Sequence, residues 1–222
     1  MKKDEFASMI DHSALKNDLG YSLIKLSCME AIKYKFATVA VNNCNISIAA
    51  KILKGSGVGI DATISFPFGT NSPEIKAFEV KDAIKKGATE IDFVINIGAL
   101  KDRNYDILKK EMELIKKVSN GRVVKSILEV GFLADEEIIE ACHIAVNSEI
   151  DFVKTATGFY KPTLLSNVKL IFKCVKNTNT KIKVAGGIKN LRDALEMIEA
   201  GAKRFGTSRS VEIMEEWKGD EI

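Results

Sequence analysis

From one end of the chain to the other, short segments rich in β-branched or apolar residues alternate with longer segments whose apolar residues recur at helical spacing. The expected strands run Ser8 to His12, Ala37 to Val41, Gly59 to Ile64, Glu90 to Ile95, Val124 to Glu129, Phe152 to Thr155, Ile182 to Ala185 and Arg204 to Gly206, eight in all. Between them lie expected helices from Tyr21 to Phe36, Tyr105 to Val118, Asp135 to Val146, Leu164 to Lys176 and Asn190 to Ala200. The clearest helix has Ser72 to cap it, Pro73 at its first position and Gly87 to stop it after Lys86. Repeated strand-then-helix units impose parallel strands with helical crossovers, and eight units are the number that closes a barrel. An open doubly wound sheet uses the same units. The unit count and the glycine-containing loops after each of the last two strands favour the barrel. No linker or charge block divides the chain, so residues 1–222 read as one α/β domain, a (β/α)8 TIM barrel.

Composition narrows the partners. Apolar residues make up 46% and charged residues 28%, which sets aside disordered and fibrous classes. The longest apolar runs, such as Phe93 to Leu100, fall far short of a membrane span. A net charge of +3, with lysines spread among glutamates on helix faces, implies no nucleic-acid partner. The opening MKKDEFASMIDHSALK has no apolar stretch of secretory length, and a cytoplasmic location is expected. Cys28, Cys44, Cys142 and Cys174 show no paired spacing and read as reduced thiols. His12 and His143 stand in no metal-ligand spacing, and neither a metal nor another cofactor is expected.

Within this frame the stretch DFVKTATGF, Asp151 to Phe159, is anomalous: a lysine interrupts an apolar strand just before a small, polar, glycine-ended loop. Strand side chains alternate, so Asp92, Val94 and Asn96 share one face and Ile91, Phe93 and Ile95 the other. By the same parity Ile182 and Val184 face the helices and Lys183 faces the barrel axis, with Lys154 placed similarly. A lone strand-end lysine ordinarily reaches out to water. Two lysines and an aspartate pointing into one confined interior are costly unless they serve chemistry. Desolvation and like charge both lower the proton affinity of a buried ammonium, and the neutral amine that results attacks carbonyls to form a Schiff base.

At these residues the sequence resembles the deoxyribose-phosphate aldolase family. The likeness is carried by Ile10-Asp11-His12-Ser13-Ala14-Leu15-Lys16, by Phe66-Pro67-Phe68-Gly69, by EIDFVINIGALK from Glu90, by DFVKTATGF, by KVAGGI from Lys183 and by Arg204-Phe205-Gly206-Thr207-Ser208. The resemblance implies a class I aldolase on a (β/α)8 barrel that reversibly cleaves 2-deoxyribose 5-phosphate to glyceraldehyde 3-phosphate and acetaldehyde without a metal. It implies Lys154 as the Schiff-base lysine, Lys183 as the neighbour that lowers its proton affinity and Asp92 as the carboxylate of the proton relay. It also implies that Thr157 and Gly158 hold substrate, that Gly186, Gly187 and Ser208 bind phosphate, and that a homodimer is a state open to the chain. Arg209 stands where the family usually has a second serine, and either adds a phosphate contact or points outward. The doubled glycine at 186 and 187 lets backbone N–H groups approach an anion, and a helix opening at Asn190 favours negative charge there.

Other readings stay open on sequence alone: an aldolase with another acceptor, a phosphate-binding isomerase using Asp92 and Glu129, or a non-catalytic sugar-phosphate binder. His12 is either a donor within the site or a satisfied core histidine. Lys125 lines the cavity or sits at its lower rim, and Glu129 is a second acid or base or half of an ion pair.

Overall fold

The computed structural model describes residues 1–219. Eight parallel strands close into a barrel in chain order: β1 (Ile10–Ala14), β2 (Thr38–Asn42), β3 (Gly59–Ile64), β4 (Glu90–Val94), β5 (Val123–Ile127), β6 (Phe152–Lys154), β7 (Lys181–Ala185) and β8 (Arg204–Thr207). β8 returns to β1 with Gly206 opposite Asp11, which completes the ring. The expected barrel is therefore the one formed, with shifted strand boundaries and with helices at Lys3–Ala7, Ile46–Leu53, Ile97–Lys101 and Ser210–Glu215 beyond those expected. β1 starts two residues later than expected, because Lys3–Ala7 forms a short helix α1 whose turn extends through Ser8.

Around the barrel run α2 (Tyr21–Tyr34), α3 (Ile46–Leu53), α4 (Pro73–Lys86), α5 (Ile97–Lys101), α6 (Tyr105–Val118), α7 (Asp135–Asn147), α8 (Leu165–Val175), α9 (Leu191–Glu199) and α10 (Ser210–Glu215). Ser72 caps α4 by accepting from the Ile75 N–H, and Gly87 ends it at φ 115°, a left-handed turn that costs glycine little. α3 was not among the expected helices: it is only eight residues long, and Asn45 makes no side-chain cap.

The strands turn their apolar side chains outward. Ile91, Phe93, Val124, Val153, Ile182, Val184 and Phe205 are buried against the helices, each removing apolar surface worth roughly 1.5–3 kcal/mol from water. Phe6 of α1 packs on Phe205 and Trp217, tying the start of the chain to its end. The hydrophobic core is thus mainly the annulus between barrel and helices, and the barrel interior holds the polar and charged groups together with Val94, Ile127 and Phe152. Among the described residues no helix is long and apolar enough to cross a membrane.

Candidate active site

Inward side chains of a closed parallel barrel stack in layers contributed by alternate strands. Here β1, β3, β5 and β7 contribute Asp11, Asp61, Lys125 and Lys183, two acids followed by two lysines, all fully buried. Lys183 Nζ lies 2.6 Å from Asp11 Oδ2 and 2.7 Å from Asp61 Oδ2, and Lys125 Nζ lies 2.9 Å from Asp61 Oδ1. Below this layer Arg204 of β8 holds Glu90 of β4 at 2.7 Å and donates to Asp11 at 2.8 Å. Above it stand Asp92 of β4 and Lys154 of β6, and Asp92 Oδ2 accepts from Lys154 at 2.6 Å and from Lys183 at 2.7 Å. Lys125 Nζ also approaches Glu90 at 2.7 Å and Asp92 at 2.9 Å, too obliquely for a directed hydrogen bond. Isolated charges could not survive burial here, so the mutual pairing is what permits the cluster.

Pairing and burial compete differently at each group. At Lys154 burial pushes proton affinity down, Asp92 pulls it back up and Lys183 pushes it down again, leaving it below the ordinary lysine value. At Lys183 burial also favours the neutral amine, but Asp11, Asp61 and Asp92 together outweigh it and hold the proton firmly. Lys125 is held cationic in the same way by Asp61, Asp92, Asp11 and Glu90. For Asp92, burial raises proton affinity, but Lys125, Lys154 and Lys183 overcome it and keep the carboxylate ionised well below its usual range. The lysine pair is therefore unequal: Lys183 stays charged, and Lys154 is the one biased toward a free amine.

Above the charged layers opens a cavity of about 850 Å³. Lys154 reaches its wall, whereas Asp92 and Lys183 lie beneath the floor. Thr157, Gly158, Gly186, Gly187, Ser208 and Arg209 all line it, so the structure gathers every expected binding position around one opening. The Phe66 ring sits 5.9 Å from Lys154 Nζ and meets Phe159 edge-on, an apolar flank that limits water at the amine.

The loops that bear these residues are fixed by their own chemistry. The Thr157 amide donates to Glu129 at 2.9 Å and the Thr157 hydroxyl donates to the same oxygen, so Glu129 is a loop-fixing acceptor rather than half of an ion pair. Gly187, at φ 93°, lies so close to Pro162 that a Cβ there would sit 2.8 Å from the proline's. Gly206 serves the floor: a Cβ there would stand 3.3 Å from Lys183 Cε, so glycine leaves room for the lysine stem. The start of α9 is not the open anion site the sequence suggested. Asn190 and Asp193 cap it from within, and the Leu191 amide donates to Glu216 at 2.8 Å. Arg209 is half exposed, with Glu212 at 3.9 Å. His12 turns out of the barrel, 3.1 Å from Glu30 of α2 and against the Phe36 ring; its Nδ1 has no hydrogen-bond partner among the described residues, and both His12 and Glu30 line an outer part of the cavity.

A buried amine at the floor of a glycine-looped cavity, on this barrel, is the arrangement on which comparison with known proteins bears. The model of the DeoC/LacD family aldolase matches residues 6–211. The chain belongs to the DeoC/LacD aldolase family. It is 49% identical to deoxyribose-phosphate aldolase 1 of Mesoplasma florum, over 96% of this chain and 95% of that one. It is 50% identical to the deoxyribose-phosphate aldolase of Mycoplasma capricolum, over 92% of each chain. Among solved structures, a deoxyribose phosphate aldolase from Aeropyrum pernix aligns with TM-score 0.90 at 27% identity, over 96% of this chain and 91% of that one.

In this DeoC/LacD aldolase, sequence reasoning missed four members of the interior cluster, Asp11, Asp61, Glu90 and Arg204, and left the position of Lys125 undecided. The missing signal was parity: in Gly59-Ile60-Asp61-Ala62-Thr63 the polar residues share the face that Asp92 and Lys183 occupy on their own strands. The late start of β1 concealed the same parity for Asp11.

Proposed function

We propose that the chain is a class I aldolase that cleaves 2-deoxyribose 5-phosphate reversibly to glyceraldehyde 3-phosphate and acetaldehyde through a Schiff base at Lys154. The observation that carries this is Lys154 itself, a desolvated amine with lowered proton affinity, hydrogen-bonded to Asp92 and exposed to the cavity alone among the interior lysines. Burial, and after it the fixed positive charge of Lys183, weaken the hold of Lys154 on its proton, and Asp92 is the group through which protons pass between the two lysines.

In cleavage the amine adds to the substrate carbonyl and water leaves, forming an iminium. The iminium nitrogen accepts the electron pair of the breaking C–C bond, the substrate hydroxyl loses its proton, and glyceraldehyde 3-phosphate departs. Protonation of the enamine carbon and hydrolysis then free acetaldehyde and the amine. Thr157 and Gly158 hold the sugar, and the backbone at Gly186 and Gly187, with Ser208 and Arg209, receives the phosphate. In this reading the phosphate is bound by loop N–H groups and the half-exposed Arg209 side chain, since the start of α9 is already capped by Asn190 and Glu216.

Borohydride reduction in the presence of acetaldehyde is the test. Mass spectrometry should find one two-carbon adduct, on Lys154, with loss of deoxyribose 5-phosphate cleavage. Full activity after reduction, or an adduct only at other lysines, would defeat the proposal.

A further inference from the structure

Asp61 has no part in the reaction as outlined, yet it is the interior carboxylate whose situation differs most from the others. All four lie in one cluster with four cations: Asp11, Asp61, Glu90 and Asp92 against Lys125, Lys154, Lys183 and Arg204. With Lys154 as an ammonium the cluster is neutral. With Lys154 as the free amine that the proposed reaction requires, one negative charge is left uncompensated in a water-poor interior. A proton must then reside on one carboxylate, and the neighbours decide which. Asp11 is gripped by Lys183 and Arg204, Glu90 by Arg204 and Lys125, and Asp92 by Lys154, Lys183 and Lys125. Asp61 has only Lys183 and Lys125, and each of those is shared with at least two other carboxylates.

We infer that Asp61 is a positioning residue that stores the proton released when Lys154 becomes a free amine and returns it when the iminium restores positive charge at that position. The inference rests on the Schiff-base reading above. A continuous chain of contacts supports the transfer: Lys154 Nζ to Asp92 Oδ2 at 2.6 Å, Asp92 Oδ2 to Lys183 Nζ at 2.7 Å, and Lys183 Nζ to Asp61 Oδ2 at 2.7 Å. In one concerted shift Lys154 gives a proton to Asp92 as Asp92 gives one to Lys183 and Lys183 gives one to Asp61, so Lys183 stays cationic throughout and the net change is a neutral amine and a neutral carboxylic acid. When the amine adds to the carbonyl, one of its own protons moves to the carbonyl oxygen. The stored proton returns along the same chain, the hydroxyl leaves as water and the nitrogen becomes the iminium. An ammonium and an aldehyde have thus become an iminium and a water, with three protons and one positive charge on each side. Asp61 is suited to the store for a further reason. Burial pushes its proton affinity up, Asp92 and Asp11 add to that push, and Lys125 and Lys183 only partly oppose it, leaving a value of about 6, whereas Asp11 and Asp92 are held below their usual range.

The test compares wild type with Asp61→Asn, which fixes a neutral group of the same shape. Removing the carboxylate weakens the hold on the Lys154 proton, so the acidic limb of the kcat/KM profile should move down by about one pH unit. kcat should fall severalfold while KM stays within about twofold, because Asp61 does not touch the cavity. A purely structural role would lower the amount of folded enzyme and leave the limb in place. On wild type alone, difference infrared spectra recorded as acetaldehyde is added should lose the carbonyl stretch of a buried carboxylic acid as the iminium forms. Borohydride capture at Lys154 with an unmoved limb, or with no carboxylic-acid band lost in wild type, overturns the role of Asp61 and leaves the Schiff-base reading intact. Failure of capture in wild type overturns both.

Discussion

Lys183 and Lys154 donate to the same oxygen of Asp92 and yet are biased oppositely, Lys183 toward the ammonium and Lys154 toward the free amine. Both are fully buried, yet three carboxylates surround Lys183 while Lys154 has one close partner and faces the cavity. Lys183→Leu should therefore lower kcat/KM by roughly a hundredfold or more and move the acidic limb of its profile upward, opposite to Asp61→Asn, because Lys154 would then keep its proton longer. Retention of wild-type turnover with an unmoved limb would remove Lys183 from the mechanism. At this scale much was legible: the alternation around Lys154, Lys183 and Asp92 placed all three correctly, because an ionisable residue in an apolar strand has few destinations. Asp11 and Asp61 escaped notice because single carboxylates near strand starts are common on surfaces, although the parity of their own strands turns them inward. The role of Glu129 was likewise unreadable, since its partner Thr157 lies 28 residues away across a loop.

Elements bring the second lesson, in the buried pair formed by Lys76 of α4 and Glu111 of α6. Lys76 also donates to the Val94 carbonyl at 2.7 Å, and Glu111 accepts from the Asn96 amide at 3.1 Å, so two helices are pinned to the end of the strand that carries Asp92. Burial shifts both toward neutrality, lowering Lys76 and raising Glu111, and each partner partly resists the other's shift. Lys76→Met leaves a buried carboxyl without its cation and should cost about 3–5 kcal/mol in urea unfolding, whereas Lys76→Met with Glu111→Leu should recover a large part of the loss. A single variant as stable as wild type would show that the pair contributes nothing. On a helical pattern these residues look like surface charges, and helix periodicity alone does not reveal which helix face meets which neighbour. The helices themselves were legible where Ser72, Pro73 and Gly87 marked their ends, and illegible at the eight-residue α3, whose N-cap Asn45 makes no side-chain hydrogen bond.

For the whole molecule, an ion-filled barrel ties stability to pH in opposing ways. Asp11 and Asp92 are held ionised below their ordinary value of 3.8, so their contribution is present above that value and is lost as pH falls through the lower folded values. His12, held by burial below its ordinary 6.5, likewise gives up its contribution as pH falls below that value. Asp61 runs the other way: its contribution is complete below 3.8 and is lost as pH rises through about 6. The difference in Tm between wild type and Asp61→Asn should consequently shift in favour of wild type as pH is lowered from about 7 to about 4, and both proteins should lose stability steeply below about pH 4. A pH-independent difference would show that Asp61 has the same proton affinity folded and unfolded. The barrel was legible at this scale because eight repeated units leave few closed alternatives, and its charged interior was not, because pairing across a ring joins residues up to 193 positions apart. The amine of Lys154 rises from a floor built by strands, while Thr157, Gly158, Gly186, Gly187, Ser208 and Arg209 stand on the rim above it. On the proposed reading, bond-making and selectivity fall to different parts of the chain, so redesign for new aldehydes would rewrite the rim and leave the strand-built floor untouched.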